Sequence, residues 1–477
     1  MQLIRDCGVI EASDAVSPEQ WQRILGAAHR HMWDVSRNYS RYSSANNHVI
    51  GEAAGVFIGS IFFDALRPAR RWRTEAKLIL EKQIRTQTLA DGGHCELAPA
   101  YHLFVLELLL VAGLAGRNTG CDFSPGYWER IEAMCAFVAG MLEGGDCIPQ
   151  LGDSDDGYVL DLETDGDRAR NLLAVGAALF GRSDFKELAE DAHERVYWLL
   201  GNDGCRVFDG LESLDRKEGA LAIRSRAFPE SGYYLLQCGS RSPDDDRISV
   251  SFDCGALGFG SIAAHGHADA LSLTVRISGV DVLIDPGTYD YFTFPEWRRY
   301  FRSTPAHNTI TVDGLDQSEN RGSFIWGKRA AARCLRWDPS DEGGWVSGEH
   351  DGYTRLDDRV MHRRTVSLDA SRREIVVHDE LTGDATHGAS VFFHFAEHCR
   401  VEQDGPARLR VDYGKGVLAV QTDRKLKIEI HRGGTDPIIG WTSRGYHSKE
   451  ASTSVEGRCR WSGHVSMTTR MSIASLD

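Results

Sequence analysis

The densest group of metal-binding and proton-handling side chains in the sequence is His265-Gly266-His267-Ala268-Asp269. It precedes two apolar segments, 272–277 and 280–285, joined across Ser278-Gly279, which read as a β-hairpin. Such a hairpin folds Asp285 back toward the end where His267 enters. His307, just ahead of a further apolar run, can return to that same end. Two imidazoles and one carboxylate are a common Zn²⁺ ligand set, with a further position left for water or another group. Asp269 or backbone carbonyls could hold the second ring nitrogens. A histidine in a sheet is more often a hydrogen-bonded structural residue, and spacing does not decide whether His265 or His267 is the ligand.

Three further groups lie in the first third of the chain. Asn46-Asn47-His48, with Gly51-Glu52 following, opens an apolar run that reads as a helix. Polar groups at a helix start suit an anion, although an asparagine there is more simply an N-cap. In Asp91-Gly92-Gly93-His94-Cys95-Glu96-Leu97-Ala98-Pro99-Ala100-Tyr101-His102, a glycine turn delivers Tyr101 into the first turn of another helix. The acidic loop 152–157 reads as a solvated turn or a site wall. Later, the stretch Trp297-Arg298-Arg299-Tyr300-Phe301-Arg302 offers guanidinium groups for carboxylate or sulfate and rings for sugar faces. It reads equally well as a solvated amphipathic segment.

The elements that must position these groups divide in two. Ser17-Pro18-Glu19-Gln20 carries a capping box with proline at the first helical position. Helical stretches then follow near 46–64, 67–90, 98–116, 124–144, 165–181 and 184–200. Several are apolar on more than one face, which implies layered helices such as an α/α toroid. Beyond about residue 205 the pattern changes to short alternating segments rich in β-branched and aromatic residues, the signature of an antiparallel β-sandwich. The expected organisation is a helical domain over 1–205 and a β domain over 206–477.

The length, 477 residues, fits two domains, and 42% hydrophobic with 26% charged residues is an ordinary globular composition. The net charge of −15 excludes nucleic acid as a general partner and leaves any acidic ligand to local cations. The eleven cysteines, with no C-x-x-C, suit reduced thiols. No window is read as approaching the roughly 20 apolar residues of a membrane span. The first residues lack a basic start and an apolar h-region, so the chain as written is expected in the cytoplasm; a longer N-terminus would make it periplasmic or secreted.

Taken in order, the motifs resemble those of the heparinase II/III-like superfamily of polysaccharide lyases. They are Asn46-Asn47-His48 with Glu52, the Asp91–His102 segment, the Gly152-Asp153 loop with Asp155, the 228–236 segment FPESGYYLL, His265-Gly-His267-Ala-Asp269, Asp285-Pro286-Gly287-Thr288 and Arg302-Ser303-Thr304 with His307-Asn308-Thr309. The resemblance implies an α/α toroid, here with fewer helices than the family usually has, followed by an antiparallel β-sandwich. It implies β-elimination beside a uronic acid in an acidic polysaccharide or oligosaccharide. Asn47 and His48 would face the uronate carboxyl group, and Tyr101 would protonate the leaving oxygen, in some substrates also serving as base. His265 would be the base or its helper. His267, Asp285 and His307 would hold one structural zinc per chain.

Glu52, Tyr291, Arg298 and Arg302 are the expected substrate contacts, with Tyr289 and Tyr291 both open as a second catalytic tyrosine. A homodimer is also expected to be open to the chain. Two other readings compete: a toroid glycoside hydrolase using Asp153 with Asp155 or Glu96, and a glycan-binding or exopolysaccharide-assembly protein without catalysis.

Overall fold

The computed structural model describes residues 16–162, 167–212, 221–241 and 246–475. The chain forms two compact units. One comprises residues up to Cys95, Tyr101–Ala139 and Gly157–Asp215; the other comprises Glu96–Ala100, Gly140–Asp156 and Arg216–Asp477. The helical unit thus extends past the expected boundary at 205, and two short segments from the first third of the chain pack with the sheets.

The helical unit begins with α1 (Pro18–Val35), where the Ser17 capping box forms as the sequence predicts. It continues through α2 (Asn47–Phe62), α3 (Ala69–Gln87), α4 (Pro99–Asn118), α5 (Pro125–Glu143) and α6 (Arg168–Phe180). The expected last helix, 184–200, is instead α7 (Ser183–Ala189) and α8 (His193–Gly210). They are separated where Glu190 and His193 adopt left-handed φ values, an arrangement no periodicity announces. The start expected for α6 near 165 lies outside the described residues.

Helix α4 corrects one expectation, since by length and composition it is apolar enough to cross a membrane. In the fold, 83% of its most apolar window is buried within the protein. Its one buried acid, Glu107, explains how such a helix meets polar chain. The carboxylate accepts from Arg168 (2.6 Å), from Arg195, and from the backbone N–H groups of Val159 and Leu160. A buried carboxylate with two guanidinium partners and two N–H donors avoids the several kcal/mol an isolated buried charge would cost.

The second unit is built on antiparallel strands. A main path runs through Arg400–Gln403, Arg408–Asp412, Gly416–Gln421, Thr453–Ser475, Glu374–Phe395, Val280–Leu283, Leu273–Ile277, Ile248–Asp253, Tyr233–Cys238 and Arg226–Phe228. A meander of Ala332–Ser340, Gly343–His350 and Met361–Asp369 joins it through Glu374–Phe395. The two longest strands, Glu374–Phe395 and Thr453–Ser475, pair along their lengths with a bulge between Gly383 and Thr386. Val250, Val275, Ile277, Leu283, Ile310 and Phe395 are among the fully buried side chains of the common core. Each such burial stabilises by about 1.5–3 kcal/mol.

The expected hairpin forms: Val280 pairs with Ile277, and Ser278 and Gly279 both take positive φ, as a tight primed turn requires. Among the described residues the cysteines form no disulfide.

Candidate active site and metal centre

In the second unit the His265-Gly-His267 segment is gripped from behind by Asp153. His265 Nδ1 lies 3.0 Å from Asp153 Oδ2, and His267 Nε2 lies 2.9 Å from Asp153 Oδ1. Arg298 forks onto the same carboxylate, with Nη2 at 2.7 Å. Gly266 has to be glycine, because the Leu257 carbonyl oxygen sits 1.4 Å from where a Cβ would stand. Gly152 has φ +63° and carries the His265 carbonyl close against it. The sharp turn therefore keeps both rings on one carboxylate.

Asp153 is fully buried, and burial by itself pushes its pKa up. The Arg298 charge, with bonds from His265, His267 and Arg298, prevails and holds it well below the usual carboxylate range. An ionised carboxylate only accepts, so the ring nitrogens facing it carry the protons. His265 Nε2 faces Glu96 Oε1 at 3.8 Å, and His267 carries its lone pair on Nδ1. Burial drives the His267 pKa down to about 4 despite Asp153, so its ring is neutral at pH 7.

His267 Nδ1 is buried without a hydrogen-bond partner, and so is His307 Nε2. His307 is held through its other nitrogen, 2.7 Å from Asp285 Oδ2. Burial opposes its protonation, but Asp285 outweighs burial and raises its pKa. One ligand atom each from His267, Asp285 and His307 lie within 4.8 Å of one another, all buried. Two buried imidazole nitrogens without partners and a carboxylate suit a divalent, nitrogen-accepting ion such as Zn²⁺. A second such group, Glu429, His431 and Glu456, differs in that Arg458 already spans both carboxylates.

The ligand loops are themselves clamped. Asn308, next to His307, donates through Nδ2 to the carbonyls of Leu273 and Ile284 (2.8 Å each) and accepts from His394 N–H. Its own carbonyl accepts from Arg364, which also donates to the Leu271 carbonyl and forks onto Asp379. His362 (2.8 Å) and then His350 (3.1 Å) complete this buried chain.

The remaining expected site residues separate by what they touch. Tyr291 is beside His265, with ring centroids 6.4 Å apart, whereas Tyr289 packs on Phe294, Trp297 and Phe301 and accepts from Lys449. Arg298, an expected substrate contact, is buried and donates to Asp153 and the Ser323 carbonyl. Arg302 is also buried; it lies over the Trp326 ring (4.3 Å) and donates to the Gly322 carbonyl. Burial, with Arg298 nearby, lowers its pKa to about 9. Its Nε and Nη2 meet no acceptor among the described residues.

In the helical unit, Asn46 is the N-cap of α2, accepting from His48 N–H; Asn47 is buried and His48 exposed. Gln87 donates to the Asn46 carbonyl (3.0 Å). Glu52, an expected substrate contact, accepts from Ser40 N–H (2.6 Å) and Oγ (2.5 Å), one bond on each oxygen. Tyr101 is buried in the first turn of α4.

Asp153 is the residue that the loop's acidity disguised: beside Asp155 and Asp156 it reads as a solvated turn, yet it is the hub of the site. Asp269, expected behind a ligand, gives way to Asp153 in that role. Buried near Asp253, Asp269 instead has a pKa well above the carboxylate range.

Residues 221–473 match the family described as heparinase II/III-like, C-terminal, and residues 9–164 match the heparinase II/III N-terminus. The chain belongs to the heparinase II/III-like family. Among curated relatives of that family, it is 25% identical to the heparin-sulfate lyase of Bacteroides stercoris over 394 residues, 80% of this chain and 50% of that one. It is 24% identical to the heparin-sulfate lyase of Pedobacter heparinus over 81% of this chain and 51% of the relative. The chain thus spans about half the length of these relatives.

The fold is that of heparinase structures. One heparinase III superposes with a TM-score of 0.74 at 17% identity, covering 99% of this chain and 68% of that one. The heparan sulfate lyase of Pedobacter heparinus gives 0.68 at 18%, covering 97% and 65%.

Proposed function

We propose that this chain is a polysaccharide lyase that cleaves uronic-acid-containing glycans by β-elimination, with one structural zinc in the β unit. The observation that carries the reading is the Asp153–His265 pair. A carboxylate held ionised accepts from Nδ1 and so orients the imidazole, with Nε2 on the far side of the ring, the arrangement that a histidine general base needs. The sequence relatives named as heparin-sulfate lyases support the reaction class.

In the elimination the base takes the C5 proton, the C4–O4 bond breaks, a C4=C5 double bond forms, and O4 leaves with a proton. Charge builds on the uronate carboxylate, so donors aimed at it lower the barrier. His265 Nε2 is assigned the C5 proton, Asn47 and His48 the carboxylate, and Tyr101 the proton for O4. These last three rest on the family resemblance. The hydrolase alternative needs a carboxylic acid that gives up a proton, and Asp153, tied to Arg298 and two histidines, is unsuited to it.

His267, Asp285 and His307 would hold the zinc, which when bound ties the two ligand loops together rather than entering the chemistry. Asp153 orients His267 for it in the manner of carboxylate–histidine–metal triads. The test is a screen of uronate polymers. Ultraviolet-absorbing unsaturated products, lost in His265→Ala, are expected; new reducing ends without that absorbance would indicate hydrolysis instead.

A further inference from the structure

Four rings run from His265 to the surface of the β unit. His265 lies 5.9 Å from Phe324, Tyr291 5.1 Å from Phe324, and Phe292 5.3 Å from Phe324, measured between centroids. Exposure rises outward along the series: His265 and Tyr291 are each 6% exposed, Phe324 is half-buried and Phe292 is 71% exposed. A phenylalanine that open forgoes most of its burial free energy.

Its surroundings are fixed. Tyr291 N–H donates to the Tyr446 hydroxyl (3.1 Å), and Phe294 N–H donates to Asp290 Oδ2 (2.8 Å), pinning the turn on both sides of Phe292. Arg298 holds the Ser323 carbonyl and lies under both Tyr291 (4.8 Å) and Phe324 (5.0 Å). The Arg298 charge is already matched by Asp153, so the platform offers ring faces and little net charge.

We infer that Phe292 and Phe324 form a stacking subsite for a pyranose ring of the glycan, beside the unit at which His265 acts. A pyranose presents a face of C–H groups that complements the electron-rich face of an aromatic ring, and a preformed platform costs little entropy to occupy. The occupant is argued from continuity: the ring series begins at the imidazole assigned to the reacting sugar. This rests on the lyase reading and deepens it, because neutral rings select sugar shape rather than sulfation.

The test compares Phe292→Ala, Phe324→Ala and Phe292→Trp in the full chain. The probe is an unsulfated octasaccharide alternating glucuronate and N-acetylglucosamine. Binding is measured by calorimetry in the His265→Ala background, and turnover by ultraviolet absorbance with His265 intact. The alanine changes are expected to weaken binding and raise KM by about fivefold or more, with most of the effect in KM.

The salt dependence of binding and the melting temperature should stay as in the parent chain, and Phe292→Trp should retain affinity. Unchanged affinity in both alanine variants, a loss that tracks with melting temperature, or no binding of the octasaccharide to the parent would overturn the subsite. Binding that depends on Phe292 without any unsaturated product would retain the subsite while refuting the lyase.

Discussion

The β unit contains two buried charge networks of nearly the same composition. In one, Asp153 accepts a fork from Arg298 and bonds from His265 and His267; in the other, Asp379 accepts a fork from Arg364 and a bond from His362, backed by His350. Both carboxylates are held below their ordinary pKa, Asp379 at about 2, because the neighbouring arginine and histidine outweigh burial.

The difference lies in how the chains end. The Asp379 network closes on itself: His350 Nδ1 accepts from Gly352 N–H, and Arg364 Nη1 donates to the carbonyls of Leu271 and Asn308. The Asp153 network instead runs on to the candidate site: His267 Nδ1, buried without a hydrogen-bond partner, belongs to the trio with Asp285 and His307, and His265 Nε2 lies 3.8 Å from Glu96 Oε1.

Exchanging the carboxylates for amides should expose this contrast most strongly. Asp153→Asn removes the group that fixes both tautomers, so kcat on a uronate polymer should fall on the order of 10²–10⁴-fold. Asp379→Asn should leave the residual rate far closer to the parent value. Equal losses of rate in the two variants, at temperatures where both are folded, would erase the distinction.

Stability should respond in the other order. Arg364→Met leaves Asp379 buried without its charge partner, and a loss of about 3–5 kcal/mol is expected in denaturant unfolding. A loss from Arg364→Lys close to that from Arg364→Met would assign the effect to the forked geometry, which a lysine cannot reproduce, and a smaller one would assign it to the charge.

Metal separates the networks a third way. Purified chain should contain about one zinc, and chelation should lower the melting temperature in the parent and in Asp379→Asn alike. Neither His267→Ala nor His307→Ala should retain the metal. Elemental analysis finding zinc in those variants would move the ion elsewhere.

A smaller effect concerns a third histidine clamp. His387 bonds Asp313 Oδ2 (2.7 Å) and Asp358 Oδ2 (2.8 Å), and those bonds raise its pKa. A raised folded-state pKa stabilises fully below the ordinary imidazole value, and the gain is lost as pH rises through the folded value. Asp313 and Asp358 are lowered, Asp358 chiefly by its His387 bond and Asp313 by that bond against burial, so their share fades as pH falls through their folded values. His387→Gln should therefore cost more melting temperature near pH 6 than near pH 9; a pH-independent cost would refute the clamp.

Much of this arrangement is legible in the residue order because it is local. The capping box at Ser17 and the Ser278-Gly279 turn depend on neighbours a few positions away. The metal trio is brought together partly by that same turn, which is why spacing brings Asp285 back toward His267.

What stays hidden is the distant partner. Asp153 stands 112 positions from His265, and nothing in an acidic loop tells its buried member from the exposed Asp155 and Asp156. The arginines of α9 (Pro295–Arg302) mislead for a related reason. Their cationic pattern suggests a surface, but Arg298 and Arg302 lie on the buried face and only Arg299 points to solvent. Glu190 and His193 break an otherwise helical run through backbone conformation alone.

The central claim is that an Asp153-oriented His265 drives elimination beside a uronic acid. Ultraviolet absorbance during incubation with uronate polymers, parent against His265→Ala, tests it most directly. The account predicts absorbance that grows with chain shortening in the parent and vanishes in the variant. Shortening without absorbance, or absorbance undiminished in His265→Ala, would contradict it.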